Sequence, residues 1–422
     1  MNSPSIAEVV KQSLSRRRRR ERFFLWYGRL ALAAASLFLV VFFAGIIAKG
    51  YTACQQTFIR LDIYFDPEVL LPATPSHLKR ANYEALIKEA LHRLFPGVKG
   101  RKDKIRLKRL VSIGAADQLR AFVLEHPEAI GRTKSFWLLA SSNVDMFVKG
   151  VFGRENPGPL SKKQVLWIEE LQKRERIKLR FNKNFFTNGD SREPELAGIL
   201  GALMGSFYVM IVTFLLSFPL GIAAAIYLEE FAPQKNAWID LIEININNLA
   251  AVPSIVFGLL GLAIFLQFFG VPRSTPLAGG LVLTLMTLPT VIIASRAALK
   301  AVPRSIRDAA LALGASKMQA VFHHVLPLAL PGMLTGAIIG MAQALGETAP
   351  LIMVGMVAFI VDIPQGFLDP ATALPVQIYL WADIPERGFV ERTAAAILAL
   401  LFFLGVMNLM AIIARWRLEK RW

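Results

Sequence analysis

The sequence predicts an all-α polytopic membrane protein with six transmembrane helices and a small α/β domain inserted between the first two. Of the 422 residues, 54% are hydrophobic, more than the share of about 45–50% found in soluble domains. The excess lies in uninterrupted apolar runs that can cross a bilayer, which takes about 20 helical residues. Residues 49–195, by contrast, are polar and mixed and contain no such run.

The chain opens with a basic segment and an apolar run. Residues 1–22 end in six arginines between Arg16 and Arg22, and residues 23–48 are apolar without an acidic side chain. Arginines beside an apolar run hold that end in the cytoplasm, and this run is longer than the core of a secretory signal. We therefore predict a cytoplasmic basic tail and an uncleaved first transmembrane helix. A nucleic-acid-binding tail and a twin-arginine export signal are the alternative interpretations.

Residues 49–195 are predicted to form a periplasmic α/β domain of ordinary size. Alternating apolar residues predict strands at Phe58–Phe65 and Arg176–Phe181. Helical spacing predicts a helix over Ser76–Phe95 and, more weakly, another over Ser161–Gln172. The segment carries more basic than acidic residues, so its basic faces are either simply solvated or attract an anion.

Residues 196–414 are predicted to form the membrane core. Basic residues cluster in the N-terminal tail, between Arg296 and Lys317, and in the C-terminal tail at 415–422. Six spans place all three clusters on one side, so the positive-inside rule predicts two cytoplasmic termini. The predicted spans of the core cover residues 196–228, 244–269, 277–298, 327–360 and 394–414. The span at 327–360 is either one helix or two half-helices.

Several classes of function are excluded by missing motifs. Cys54 is the single cysteine, so a disulfide framework and a zinc site of paired cysteines are both excluded. The five histidines include no HExxH pair, which argues against a zincin-type metal site. A GxxxxGK[ST] motif is missing too, so this sequence carries no P-loop ATPase.

The internal loop at 299–326 holds a candidate docking helix. Ile306, Ala309, Ala310 and Leu313 fall at i, i+3, i+4 and i+7, which predicts a short helix with a stripe of small apolar side chains. Gly314 supplies the left-handed turn that ends such a helix. The stripe suits a groove on another protein, but it could equally pack beneath the bundle, and periodicity leaves both open.

This loop resembles the EAA loop of binding-protein-dependent ABC importer permeases. Asp308, Ala309 and Ala310, followed by Leu313 and Gly314 and then by Leu326 and Pro327, match its pattern, with Asp308 in place of glutamate and His324 in place of isoleucine. Further segments, and with them roughly residues 196–414, are similar to the PstA family of phosphate-importer permeases. These segments are Pro219–Glu230, Ala251–Leu259, Gly346–Leu351 and Leu374–Tyr379, and Phe185–Ser191 resembles the end of an enlarged periplasmic insertion found in some members.

The resemblance implies a type I ABC importer permease fold in a bacterial inner membrane, moving inorganic phosphate by alternating access. It implies a non-catalytic chain without a cofactor, because ATP and magnesium would bind to a separate ATPase. The implied partners are a homologous PstC-like permease, two PstB-like ATPase subunits, a PstS-like periplasmic phosphate-binding protein and membrane lipid, with no nucleic acid. The seven loop residues from Asp308 to Pro327 are then expected to couple to the ATPase.

Three residues are candidates for the translocation path or for a charge pair. Ionisable groups inside a membrane are costly and therefore suggest function. Glu347 and Thr348 interrupt a long apolar stretch, and Arg296 lies at the inner end of its span. We expect Glu347 to pair with Arg296 or with an arginine of a partner subunit. The alternatives are a helix cap for Glu347 and an Arg296 side chain that reaches the interface.

Two other functions are weighed against phosphate import. A permease for another oxyanion, such as sulfate, molybdate or phosphonate, differs only in its solute. A membrane sensor shares the layout of a span, a periplasmic domain and a second span. Four further spans and the lack of a cytoplasmic signalling domain count against the sensor.

Overall fold

The computed structural model describes residues 6–233 and 236–418. The first five residues of the predicted basic tail and the last four of the C-terminal tail therefore lie outside the described residues. Helix α1 runs without a break over Ile6–Gly50 and joins the basic segment to the first predicted span. It packs along the last helix of the chain. A Cβ on Gly50 would lie 3.0 Å from the backbone of Ala394 and Ala395, so glycine permits this close approach.

The inserted domain consists of a small sheet and short helices. The three-stranded sheet has the order β2-β1-β3, and both neighbouring pairs are antiparallel. Its elements are β1 (Gln55–Tyr64), α2 (Pro67–Leu70), α3 (Pro75–Arg80), α4 (Tyr83–Leu94), α5 (Arg101–Lys108), α6 (Gly114–Glu125), β2 (Thr133–Leu139), α7 (Ser142–Val148), α8 (Lys162–Lys173), β3 (Ile177–Phe181) and α9 (Lys183–Thr187).

Both strands expected from the sequence are present, as β1 and β3, and a third strand, β2, was not expected. The predicted helix over Ser76–Phe95 is two helices, α3 and α4. Asn82 separates them because its side chain accepts a hydrogen bond from the amide of Ala85 at 3.2 Å and so caps α4. The core lies between one sheet face and the helices, where Ile59 and Leu61 are fully buried.

The membrane part contains the long helices. Their apolar residues pack in one cluster in the middle of the bundle and in another at the end near α14. The elements are α10 (Leu200–Phe231), α11 (Ala237–Ala250), α12 (Ser254–Phe268), α13 (Pro276–Ala301), α14 (Arg304–Ala312), α15 (Lys317–Gly346), α16 (Ala349–Met353), α17 (Leu374–Ala382) and α18 (Arg387–Leu418).

Two of the predicted spans are not single helices. The predicted span 244–269 is wrong as one helix, because α11 and α12 meet at a bend of 105°. The stretch 327–360 ends its long helix at Gly346, and only the short α16 follows. A proline accompanies each break: Pro253 is the last residue before α12, and Pro350 lies in the first turn of α16. Prolines lack the amide hydrogen that a continuous helix needs, and their rings clash with the preceding turn. Among the described residues, five helices are long and apolar enough to cross a membrane, and the bent pair adds a sixth passage if it crosses as one broken span.

The two broken spans pack against each other directly after their breaks. A Cβ added to Gly258 in α12 would lie 2.8 Å from the Cα of Pro350 and 2.8 Å from the Cβ of Met353. Glycine therefore lets the backbone of α12 approach α16. Irregular backbone at membrane depth is tolerated only where protein buries it or where it lines a water-filled cavity. The contact places both interruptions in one region of the bundle.

A buried cluster of charges joins the inserted domain to the last helix. Lys149, which follows α7, lies 2.7 Å from the carboxylate of Asp145 and 2.7 Å from that of Glu391 in α18. All three side chains are at most 5% exposed. Nearby, Glu195 accepts a hydrogen bond from the amide of Ser142 at 3.2 Å. Burial raises the pKa of Glu195 to about 7, so this carboxyl is only partly ionised at neutral pH.

We expect Lys149→Met to destabilise the protein strongly. Removing one partner of a buried ion pair leaves an uncompensated charge and costs about 3–5 kcal/mol. Arg174→Met is the matched control, because the Arg174–Glu170 pair is exposed and such pairs contribute about 0–1 kcal/mol. Thermal unfolding of the purified protein measures both. Adding Glu391→Met to Lys149→Met should recover part of the loss, and equal midpoints for Lys149→Met and Arg174→Met would contradict the prediction.

Candidate functional site

The predicted docking helix is present as α14, but its apolar stripe is divided between two environments. Ala310 is 6% exposed, and Ile306 packs on the apolar cluster formed by α10, α13 and α15. Leu313 is 90% exposed, and Ala309 and Asp308 are exposed as well. One side of α14 therefore packs beneath the bundle while the other side is available to a partner. Packing beneath the bundle is thus observed for Ile306 and Ala310, whereas docking of the exposed part on another protein stays a prediction.

Gly314 ends α14 in the conformation that the sequence predicts. Its φ is +87°, which lies in the left-handed region that side chains disfavour. A Cβ at this position would meet no atom within 4 Å. The requirement for glycine therefore comes from the backbone alone. Leu326 and Pro327 follow in α15, where both are half-buried.

Arg307 clamps α14 to two long helices. Its Nε lies 3.1 and 3.2 Å from the two carboxylate oxygens of Glu230, and its Nη2 lies 2.5 Å from one of them. Its Nη1 donates to the carbonyl of Val302 at 2.8 Å, and Nη2 donates to that of Leu299 at 3.0 Å. Glu230 belongs to the last turn of α10, whereas Leu299 and Val302 lie at the end of α13. A single guanidinium thus holds three elements together.

Sequence reasoning missed this clamp, although both residues stand beside segments that it singled out. Glu230 is the last residue of Pro219–Glu230, and Arg307 directly precedes Asp308. The available signal was a pair of opposite charges at the ends of two neighbouring predicted spans. The fork of arginine matches a carboxylate in two-point geometry, so this pair is stronger and more directional than a lysine pair.

Arg296 pairs with carboxylates other than the expected Glu347. Its Nη2 lies 2.6 Å from Glu243 in α11, and its Nε lies 3.5 Å from Glu229 in α10. Glu347 follows the far end of α15, which has 30 residues and is about 45 Å long at 1.5 Å per residue. Arg296 instead lies near the end of α13 that leads into α14. The predicted Arg296–Glu347 pair is therefore corrected, because helix length separates the two side chains.

Glu347 and Thr348 form the break between α15 and α16. Both are half-buried, and Glu347 has an extended backbone with φ −78° and ψ 127°. Its side chain makes no ion pair or hydrogen bond within residues 6–233 and 236–418, and Thr348 does not cap α16 with its side chain. The cap expected as an alternative role is thus not formed in this structure. The carboxylate remains available to a group outside the chain.

Several long apolar helices and a clamped helix in the internal loop define a multi-pass membrane protein. A family model described as "Binding-protein-dependent transport system inner membrane component" matches residues 217–422. A second model, described as a domain of unknown function, matches residues 11–158. The "Probable ABC transporter permease protein YqgI" of Bacillus subtilis (strain 168) is 31% identical over 246 residues, which cover 55% of this chain and 81% of that protein. The chain therefore belongs to the family of binding-protein-dependent transport system inner membrane components.

Relatives with a named solute are found as well. The "Phosphate transport system permease protein PstA 1" of Mycobacterium tuberculosis (strain ATCC 25618 / H37Rv) is 32% identical over 231 residues, which cover 54% of this chain and 73% of that protein. A solved structure of the MetNI methionine ABC transporter matches 53% of this chain and 95% of its own chain, with 19% identity and a TM-score of 0.43. That score is low, so the family assignment rests on the sequence matches.

We expect Arg307→Lys to reduce transport by at least tenfold in the assembled transporter. Lysine keeps the charge but cannot make the two-point contact with Glu230 while also reaching the carbonyls at the end of α13. ATP hydrolysis should fall less than transport, because α14 would still dock. Arg304→Lys is the control, since Arg304 is exposed on the same helix. Equal transport by both variants at equal membrane abundance would show that the Arg307–Glu230 contact is not needed for transport.

Proposed function

We propose that this chain is the permease subunit of an ATP-driven importer of inorganic phosphate. The observation that carries the proposal is the match to phosphate permeases named PstA, together with a docking helix whose geometry suits coupling. The chain would be non-catalytic, and a separate ATPase would bind ATP and magnesium. A second, PstC-like permease would complete the pore, two PstB-like subunits would supply the ATPase, and a PstS-like protein would deliver phosphate from the periplasm.

Coupling would pass through α14. The exposed side of this helix, with Asp308, Ala309 and Leu313, would lie in a groove of the ATPase. Movement of the ATPase would shift α14, and the Arg307–Glu230 clamp would transmit the shift to α10 and α13 as a unit. Rigid-body rocking of packed helices about a fixed site is a common form of alternating access.

The break at Glu347–Thr348 would line the path of the solute. Discontinuous helices frequently form the sites of transported ions, because they expose backbone groups at membrane depth. Glu347 is unsuited to bind phosphate directly, since both groups are negative. We propose that it pairs with an arginine of the second permease and that this pair breaks and re-forms as the pore switches. The lack of a partner for Glu347 within the described residues supports this role.

Glu347→Gln should lower phosphate uptake sharply while the complex still assembles. Glutamine keeps the shape and the hydrogen-bonding carbonyl of the side chain but removes its charge, so only a role that depends on charge is lost. Labelled phosphate uptake at matched membrane abundance is the measurement. Asp383→Asn serves as control, because Asp383 is an exposed carboxylate in a loop. Near-normal uptake by the glutamine variant would rule out the charge-pair role.

Reconstitution of the complete transporter in liposomes tests the solute itself. Labelled phosphate should be taken up only when two conditions are met. ATP must be present on the side of the membrane where the ATPase lies, and the phosphate-binding protein must be present on the opposite side. Unlabelled phosphate should compete, whereas sulfate, molybdate and phosphonate should not. Competition by one of these oxyanions at similar concentration would reassign the solute. Failure of any solute to move, despite an assembled complex, would contradict the assignment as an importer.

A further inference from the structure

The sheet of the inserted domain has two different faces. Ile59 and Leu61 are buried against the helices, while the alternating Phe58 and Arg60 lie on the opposite face and are half-exposed. The register places Arg60 opposite Trp137 on β2 and Phe58 opposite Lys178 on β3. Directly paired residues share a face of the sheet, so these side chains form one outward surface.

Three cations surround the indole of Trp137 on this surface. The ring centroid lies 4.7 Å from Arg180, 5.8 Å from Arg60 and 5.8 Å from Lys178. Arg180 also lies 5.8 Å from the ring of Phe58. We call these five residues the basic sheet face: Phe58, Arg60, Trp137, Lys178 and Arg180. It combines two aromatic rings with three positive charges.

The three cations of the basic sheet face form no ion pair with the rest of the described chain, although Asp62 attracts Arg60 at longer range. Asp62 is the acidic residue on this side of β1. Its carboxylate accepts a hydrogen bond from the hydroxyl of Ser135 and forms an ion pair with Arg176, whose Nη2 lies 2.9 Å from Oδ2. The hydrogen bond from Ser135, aided by Arg176, holds the pKa of Asp62 below its ordinary value. Within the described ranges, Arg60, Lys178 and Arg180 have no carboxylate in ion-pair range. Like charges held together are unfavourable, and an anionic partner relieves them.

This surface adjoins the end of the bundle from which the domain rises. Gln56 lies on the same side of β1, two residues before Phe58. Its Nε2 donates to the backbone carbonyl of Glu195 at 2.6 Å, and the chain enters α10 at Leu200. A partner seated on the basic sheet face would therefore also lie close to the membrane helices. In the proposed topology this is the periplasmic end of the permease.

We propose that the basic sheet face is a docking surface for an acidic face of the periplasmic solute-binding protein. The inference rests on the proposed function, because it needs an importer with this domain outside the cytoplasm. Its support is charge complementarity: three cations that form no ion pair with the described chain select an anionic partner. Tryptophan and arginine are also the residue types that dominate protein–protein contacts. Charges at the edge of such contacts mainly raise the rate of association and the selectivity.

A membrane surface is a less suitable partner than a protein. β1 starts at Gln55, directly after the first span, and a strand rises about 3.3 Å per residue, so Arg60 lies up to about 17 Å along it. The headgroup region is only about 5–8 Å thick on each side of the hydrocarbon. Arg180 lies opposite Gln56 and Lys178 opposite Phe58, so the three cations occupy about 13 Å of strand length, which exceeds this layer. Anionic lipid is kept as an outcome of the test.

The test reverses the charge of the two exposed cations, Lys178 and Arg180, in the complete transporter. Lys178→Glu with Arg180→Glu should weaken binding of the phosphate-loaded binding protein at least tenfold in nanodiscs of zwitterionic lipid, and it should reduce the salt dependence of association. In transport assays, the concentration of binding protein that gives half-maximal uptake should rise at least tenfold, with uptake at saturation unchanged. A merely structural defect would instead lower the saturated rate.

The matched control carries the same change in charge elsewhere on the domain. Lys99→Glu with Lys102→Glu alters two exposed cations at the start of α5 and should leave binding as in the unmodified protein. Equal affinity of both double variants would overturn the proposal. It would also be overturned if the loss occurred only in nanodiscs with anionic lipid, since the face would then bind the membrane. If the unmodified complex binds its binding protein but imports another oxyanion, the phosphate assignment fails while the docking surface stands.

Discussion

In the hydrocarbon of a membrane, a backbone amide or carbonyl without a hydrogen-bond partner costs several kcal/mol. This constraint limits where the helices of the membrane part can be interrupted. Only two of the core passages are interrupted, at residues 251–253 and at Glu347–Thr348. Directly after these breaks α12 and α16 are in contact, because Gly258 lets the backbones approach. The two irregular segments therefore lie in one region of the bundle, where Ala251 and Pro253 are exposed and Glu347 and Thr348 are half-buried. The bundle concentrates its exposed backbone in one region instead of dispersing it, and that region is where a path for a polar solute is least costly.

The end of the bundle next to α14 is held by a different kind of contact. The carbonyls at the end of α13 have no partner within that helix, and Arg307 supplies hydrogen atoms to two of them while it binds Glu230. The same guanidinium is thus both a helix cap and an ion-pair partner. The last turn of α10 is a π-turn over Tyr227–Phe231, and another π-turn covers Ala320–Val325 in α15. Such turns often mark functional positions in helices. Here both flank α14, so the docking helix is joined to the bundle by one stiff clamp and two irregular turns.

The sequence predicted the membrane class, the inserted domain, the docking helix and its terminal glycine, because each depends on local composition or periodicity. The sequence-based predictions failed for features that depend on contacts between residues far apart in the chain. Hydropathy treats 244–269 as one span, since a bend of 105° leaves no mark on mean hydropathy. The strand β2 was missed because Lys134 and Ser135 interrupt its apolar pattern. The predicted pairing of Arg296 with Glu347 was wrong because the sequence does not show where the two residues lie along their helices. Glu347 follows the far end of α15, whereas Arg296 lies near the end of α13 that leads into α14. The Arg307–Glu230 pair joins residues 77 positions apart, and opposite charges at the ends of neighbouring spans do not by themselves show which residues pair.

The buried charges of Lys149 and Glu391 give the inserted domain a fixed orientation on the last helix. A Cβ on Gly388 would lie 2.8 Å from Pro194, so the start of α18 also packs tightly on the chain that leads into α10. Further along, Arg415 of α18 donates to the hydroxyl of Thr335 in α15 at 3.3 Å. The domain, α18 and α15 therefore form a continuous series of contacts, and α15 begins directly after the docking helix. A load on the inserted domain and a movement of α14 act on the same two helices from opposite ends. Packed and hydrogen-bonded residues thus connect the inserted domain to the helix that follows α14.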